Sequence, residues 1–251
     1  MTATTAARTP ARAAVLERAP AMRLAAAEYG RFAALVTTLD ADDWSRPTDC
    51  PEWDVRAMAG HVLGMAEMVA TLRGLVGQNV AMARAGGGID ALTGVQVRRT
   101  AGLATGQLVD RLSEVGPRAV RGRRRLSAVV GRIPIPEQQV VGGTTERWRF
   151  GFLFDVVLTR DTWMHRTDIC RATGREPHLT AGHDGVLVAD VVEEWAARHS
   201  RPYRLRLTGP AGGSWSSGDD GEEIELDAVE FCRLLSGRGQ GTGLLTQQVP
   251  F

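Results

Sequence analysis

Residues 145–172 read TERWRFGFLFDVVLTRDTWMHRTDICRA. Trp148, Phe152, Phe154, Val157, Leu158, Trp163, Met164 and Ile169 recur at helical spacing, which predicts a helix from about Thr145 to Ala172. Asp161 and His165 stand four positions apart on it, and Asp168 follows three further on, so all three share one stripe with Phe154 and Leu158. That stripe must face a protein interior. An inward carboxylate without a partner costs about 2–7 kcal/mol or more, so something compensates Asp161.

Working outward, Met22, Leu24, Tyr29, Phe32, Leu35 and Val36 predict a helix from about Ala21 to Leu39. The polar segment DADDWSRPTDCPEWD follows, with Asp54 placed as an N-cap. A second helix is expected from Val55 to about Val80, with Met58, Val62, Met65, Met68, Val69 and Leu72 inward. ARAGGGID is the next break, and a third helix should cover about Thr93 to Val115. From Pro117 to Gly143 the pattern is poor: RAVRGRRRLSAVV reads as helix or solvated face, GRIPIPEQQVVGG as loop. Four amphipathic helices joined by loops predict a mainly α protein built on a four-helix bundle.

After Gly174 the character changes. GREPHLTAGHD reads as a linker, Gly185–His199 as a helix, and YRLRLTGP, GSWSSG and EEIEL as strands. Asp227 should cap a last helix, AVEFCRLL, that stops at Gly237. The expected organisation is a flexible segment over 1–20, a helical bundle over 21–174 and a small α+β domain over 175–251.

Hydrophobic content of 43% with 24% charge suits a chain with a real core, and the net charge of +1 speaks against nucleic acid or an anionic membrane as partner. All basic residues are Arg. Cys50, Cys170 and Cys232 form no CxxC pair, the first twenty residues lack the apolar core of a secretory leader, and no run reaches the ~18 apolar residues of a membrane span. The expectation is a cytoplasmic protein, monomeric or a small homo-oligomer.

His61, in RAMAGHVLGMAE, is the other histidine set in a helical stripe, with Met58, Met65 and Met68 as companions. Gly60 and Gly64 beside it would admit a neighbouring helix or a ligand. Two histidines and a carboxylate leave coordination positions open, as in catalytic zinc sites, and also suit non-haem iron. Spacing alone leaves two alternatives standing: a satisfied core histidine at 61, and a plain Asp161–His165 hydrogen bond. Cys50 reads as a structural thiol, Trp44 and Trp53 as residues packing their loop, and Arg118, Arg121, Arg123, Arg124 and Arg125 as a solvated helix face. His178, His183 and His199 sit in linker or surface contexts.

Three stretches, DWSRPTDCPEWDVRAMAGHVLGMAE, RDTWMHRTDICRATGR and LDAVEFCRLLSGR with GLLTQQVPF, together resemble the mycothiol-dependent, maleylpyruvate isomerase-like group of the DinB superfamily of actinobacteria. The resemblance covers nearly the whole chain. It implies a DinB-like four-helix bundle followed by a sterol-carrier-like α+β domain. It also implies a divalent metal, zinc first with Fe2+, Ni2+ or Co2+ as other ions, at His61, Asp161 and His165, and mycothiol as cosubstrate. The group's acidic ligand is Glu, and Asp161 is one methylene shorter. Asp168 matches a polar position beside the metal, suited to orienting His165 or relaying a proton, and Arg238 matches an arginine suited to a substrate carboxylate. The implied activity is cis–trans isomerisation or thiol transfer on a small electrophile. A metal-dependent hydrolase using no thiol and a non-enzymatic small-molecule binder are the competing readings.

Overall fold

The computed structural model describes residues 11–251. Four helices form a ring: α1 (Arg18–Val36), α5 (Thr105–Val130), α2 (Val55–Ala70) and α7 (Leu158–Thr173), each packed on the next and α7 closing back on α1. Their shared core holds Tyr29, Phe32, Met58, Val62, Met65, Leu108, Leu112, Phe154 and Leu158. The Asp54 carboxylate caps α2 by accepting the Ala57 N–H at 2.7 Å.

The second helix stops ten residues before the expected Val80. Thr71 is extended (φ −144°, ψ 151°), and its hydroxyl accepts the Gly74 N–H at 3.0 Å to start α3 (Leu72–Arg84). Only glycine fits that corner, because a Cβ on Gly74 would sit 2.4 Å from the Glu67 carbonyl oxygen. Leu72, expected inside, is 73% exposed. With α4 (Gly88–Thr100), α3 makes a hairpin laid on the outside of α2. Gly60 and Gly64 serve that contact: added Cβ atoms would meet Thr100 Oγ1 at 2.4 Å and Gln96 Cβ at 2.7 Å. The close approach they allow is therefore to a helix.

The expected helix Thr93–Val115 is split at residues 101–104, and its second half belongs to α5, which runs on to Val130 through the region of poor pattern. The inner stripe of α5 is regular, Leu108, Leu112, Val115, Gly116, Ala119, Arg123 and Ser127, but its second half is small or polar and leaves little hydropathy signal. Pro117 and Ser113 both lie on the exposed side, so the hydrogen bond that proline removes is lost to solvent. Arg123, expected on a solvated face, is fully buried, whereas Arg118, Arg121, Arg124 and Arg125 are exposed.

Residues 139–146 form a hairpin, β1 (Gln139–Val141) and β2 (Thr144–Glu146), where a loop and a helix start were expected. Gly142 and Gly143 (φ 56° and 76°) supply the two left-handed positions of its turn. The helix begins later, as α6 (Phe150–Phe152), and a π turn at Leu153–Val157 joins it to α7. Arg123 donates to the Phe154 carbonyl (Nε, 2.7 Å) and to Thr159 Oγ1 (Nη2, 2.6 Å), which accounts for its burial beside that turn.

A second core lies on the far side of α7. Trp163 and Met164 pack there against α8 (Val186–His199), α9 (Ala228–Leu235) and a three-stranded sheet. In that sheet β3 (Tyr203–Thr208) is central, antiparallel to β4 (Gly213–Ser217) and parallel to β5 (Glu222–Asp227). Asp227 caps α9 through the Val229 and Glu230 N–H groups. Twelve of the sixteen residues of α7 are buried, so it is the common wall of both cores. Of residues 1–20, expected to be flexible, the first ten lie outside the described residues; Arg12 pairs its backbone with Arg147 and Arg149.

Candidate metal centre

The polar stripe of α7 meets α2 across the bundle. His61 Nε2 lies 3.5 Å from Asp161 Oδ2, and His165 Nε2 lies 3.3 Å from Asp161 Oδ1. One ligand atom from each of the three residues falls within 4.8 Å of the others. The two imidazoles meet edge to face at 5.2 Å, and the Trp53 ring covers both, 4.9 Å from His61 and 5.8 Å from His165. Both histidines are buried, while the Asp161 side chain keeps 19% exposure and marks the open side.

The donor set fits a divalent cation. Asp161 Oδ2 and His61 Nδ1 are buried without a hydrogen-bond partner, an expense that a buried polar atom rarely carries unless another group completes it. His165 Nδ1 faces Asp168 Oδ2 at 3.3 Å, the arrangement that fixes a ligating imidazole with its other nitrogen toward a metal. Burial by itself would lower the pKa of His165, but Asp161 and then Asp168 outweigh it and push it up to about 9. Burial would raise Asp161, yet His165 and His61 hold its carboxyl well below the usual range. In the metal-free protein a proton on His165 therefore stands in for the cation.

Asp168 is fully buried and collects cations from the C-terminal part of the chain. Arg238 grips it with Nε at 2.8 Å from Oδ1 and Nη2 at 2.7 Å from Oδ2. Expected at a substrate carboxylate, Arg238 is 12% exposed and rests against Asp168, with Nη2 also 3.7 Å from Cys50 Sγ. Cys50 is half-buried at the edge of the site, and burial raises its pKa. Arg233, which sequence reading passed over, approaches Asp168 Oδ1 at 3.7 Å and pairs with Asp49, next to Cys50. The signal was weak: an arginine inside the otherwise apolar FCRLL of α9.

His183 is also misplaced by a surface reading. It is buried, with Nε2 2.7 Å from Glu28 Oε2, in a network with Arg166 and Asp184 on the other side of α7. His178 is exposed, and His199 packs against Trp195.

The model of the mycothiol maleylpyruvate isomerase N-terminal domain family matches residues 25–170, more than half of the chain, most of the bundle and all three of these side chains. The chain belongs to this family. Two strains of Mycobacterium tuberculosis each hold a relative described as an uncharacterized protein, 25% identical over 226 residues, covering 84% of this chain and 82% of the relative. Crystal structures of the mycothiol-dependent maleylpyruvate isomerase and of a histidine-to-alanine mutant of it share the fold, with TM-scores of 0.55 and 0.54 at 15% and 14% identity. Each covers 89% of this chain and 90% of its own. The fold shared with these structures is thus the helical bundle with its small C-terminal α+β layer. Among the described residues no helix is long and apolar enough to cross a membrane.

Proposed function

We propose that this member of the family is a divalent-metal-dependent enzyme that uses a low-molecular-weight thiol, mycothiol, on an electrophilic small molecule, as a cis–trans isomerase or a thiol transferase. The observation that carries the reading is the convergence of His61, Asp161 and His165 on one point at the open side of the bundle, with two orphaned polar atoms and a carboxylate behind His165. Those three side chains would hold the cation, zinc first. When bound, the cation supplies a Lewis acid that lowers the pKa of a thiol and polarises a substrate carbonyl.

The remaining chemistry belongs to side chains of the chain and to the two substrates. Asp168 accepts a hydrogen bond from the Nδ1–H of His165 and so sets its tautomer. The Arg238 guanidinium, beside the histidine, is the group suited to a substrate carboxylate. The thiolate sulfur bonds to one carbon of a conjugated alkene, and the displaced electron pair moves onto the carbonyl oxygen. The former double bond now rotates freely. Return of the electron pair and loss of the thiolate give the isomer with the thiol regenerated; protonation of the carbon in its place gives the S-conjugate. Trp53 shields the histidines from bulk water on one side. The three free thiols of the chain agree with a reducing, cytoplasmic setting.

Elemental analysis of the purified protein tests the metal: about one equivalent of divalent ion is expected. His61→Ala should lose it, and full occupancy in that variant would remove the site assignment. Calorimetric titration of the metal-loaded protein with mycothiol tests the thiol; no binding there would leave a metalloenzyme that works without one.

A further inference from the structure

The α3–α4 hairpin has its polarity reversed. Gln78, on the side of α3 that faces α2, is buried and donates to the Gly64 carbonyl at 2.8 Å, while its Oε1 accepts from Gln96 Nε2 of α4 at 3.2 Å. The side facing away carries Leu72, Val76 and Val80, one turn apart on a single stripe. They are 73%, 54% and 43% exposed, and Ile89 at the start of α4 is 60% exposed. Among the described residues these are four of the nine exposed large hydrophobic side chains, and all four fall within residues 72–89. A helix that is apolar outside and amide-bearing inside has an outer face made for contact with something else.

We infer that this stripe is the contact surface for a second copy of the chain, with α3 laid antiparallel on α3 of the other copy across a two-fold axis near Val80. The inference goes beyond the proposed function and does not depend on it. Charge complementarity carries the choice of partner. Residues 71–100 hold four arginines, Arg73, Arg84, Arg98 and Arg99, and one acid, Asp90. Arg73 follows Leu72 at one end of the stripe, and Asp90 follows Ile89 at the other; both charges are exposed. The Gly87 N–H, bonded to the Met82 carbonyl at 3.0 Å, folds the loop back and keeps Ile89 at that far end. A two-fold axis reverses the second helix, so Leu72 and Arg73 of each copy come to Ile89 and Asp90 of the other. An apolar contact and an ion pair are thereby made twice. A parallel pairing would set arginine against arginine. The small side chains of Val76, Val80 and Ala83 suit helices packed about 8–10 Å apart. A lipid surface is the poorer match, because residues 71–100 contain no Trp, Tyr or Phe to sit at headgroup level.

Sedimentation equilibrium of the full chain tests this. Wild type should be a dimer at tens of micromolar. Val80→Asp, at the axis and exposed in the protomer, should raise the dimer dissociation constant about a hundredfold or more while the circular dichroism stays native. Arg73→Asp and Asp90→Arg should each weaken the dimer about tenfold, because every substitution acts twice. The double swap should return it to within about threefold of wild type. Wild type that stays monomeric at hundreds of micromolar overturns the inference. Co-sedimentation of that monomer with vesicles of about three parts phosphatidylcholine to one part phosphatidylglycerol would then assign the stripe to lipid. A dimer untouched by Val80→Asp also overturns it, as does a double swap no tighter than either single one. Should Val80→Asp fold poorly, the charge swap, made at two exposed positions, decides alone.

Discussion

The two faces of α7 carry nearly the same functional groups and reach opposite outcomes. On one, Asp161, His165 and Asp168 meet His61; on the other, Arg166 meets Glu28, His183 and Asp184. Both clusters bring a histidine and carboxylates within ligand distance. In the second, arginine occupies the centre: Arg166 bonds Glu28 at 2.6 Å and Asp184 at 2.7 Å, Arg31 adds a cation, and Trp163 Nε1 and the Thr180 N–H complete Asp184. No carboxylate oxygen there lacks a donor. In the first, the arginines stand behind Asp168, and Asp161 meets only imidazoles, with one oxygen left over. A buried carboxylate cluster filled by guanidinium is a structural joint; with guanidinium held back behind Asp168, the first cluster keeps the unpaired oxygen on which the proposed cation site rests.

The largest effect should come from breaking the joint. Arg166→Met leaves Glu28 and Asp184 buried without their shared cation and is expected to cost about 3–5 kcal/mol, read by urea unfolding, with metal stoichiometry still one and not two. Normal stability in that variant would mean the network is dispensable. Acid should act in the same place. Burial would raise Asp184, but Trp163, the Thr180 N–H and Arg166 lower it below its ordinary 3.8. Its contribution is therefore present above that value and fades as pH falls through the lower folded one.

On the site face, Asp168→Asn should weaken Zn2+ about 10–100-fold without emptying the site, because it disturbs the orientation of His165 and removes no ligand. A competition titration with a chelator measures it; an unchanged affinity would detach Asp168 from the metal. A graded effect is expected in pH, small over any one unit. His165 is raised from 6.5 to about 9 in the metal-free fold. The stability it contributes is thus complete below 6.5 and lost as pH rises through 9. Zinc displaces the same proton, so Zn2+ affinity should rise by about tenfold per pH unit across that interval. A flat profile would mean that His165 is not the ligand that loses a proton.

Legibility followed side-chain character. The Asp161–His165–Asp168 stripe, His61, the Asp54 and Asp227 caps and the strands of the C-terminal layer were all visible in the sequence, because period and capping chemistry are local. The inner stripe of α5 was not, since Gly116, Ala119, Arg123 and Ser127 fill the core without hydrophobicity. Nor was the break at Thr71, which depends on a hydroxyl cap and on the missing Cβ of Gly74.

By itself the sequence determined which side chains share a helical face, and hence that α7 carries buried charge in need of a partner. It could not say which charge meets which. Arg233 and Arg238 reach Asp168 across 65 and 70 positions, and Glu28 reaches Arg166 across 138. Only the packing of α1 against α7 brings Glu28 to Arg166, and only the packing of the C-terminal layer sets Arg233 and Arg238 behind Asp168. Partner choice among distant charges is set by three-dimensional distance and burial, and neither is encoded in local spacing.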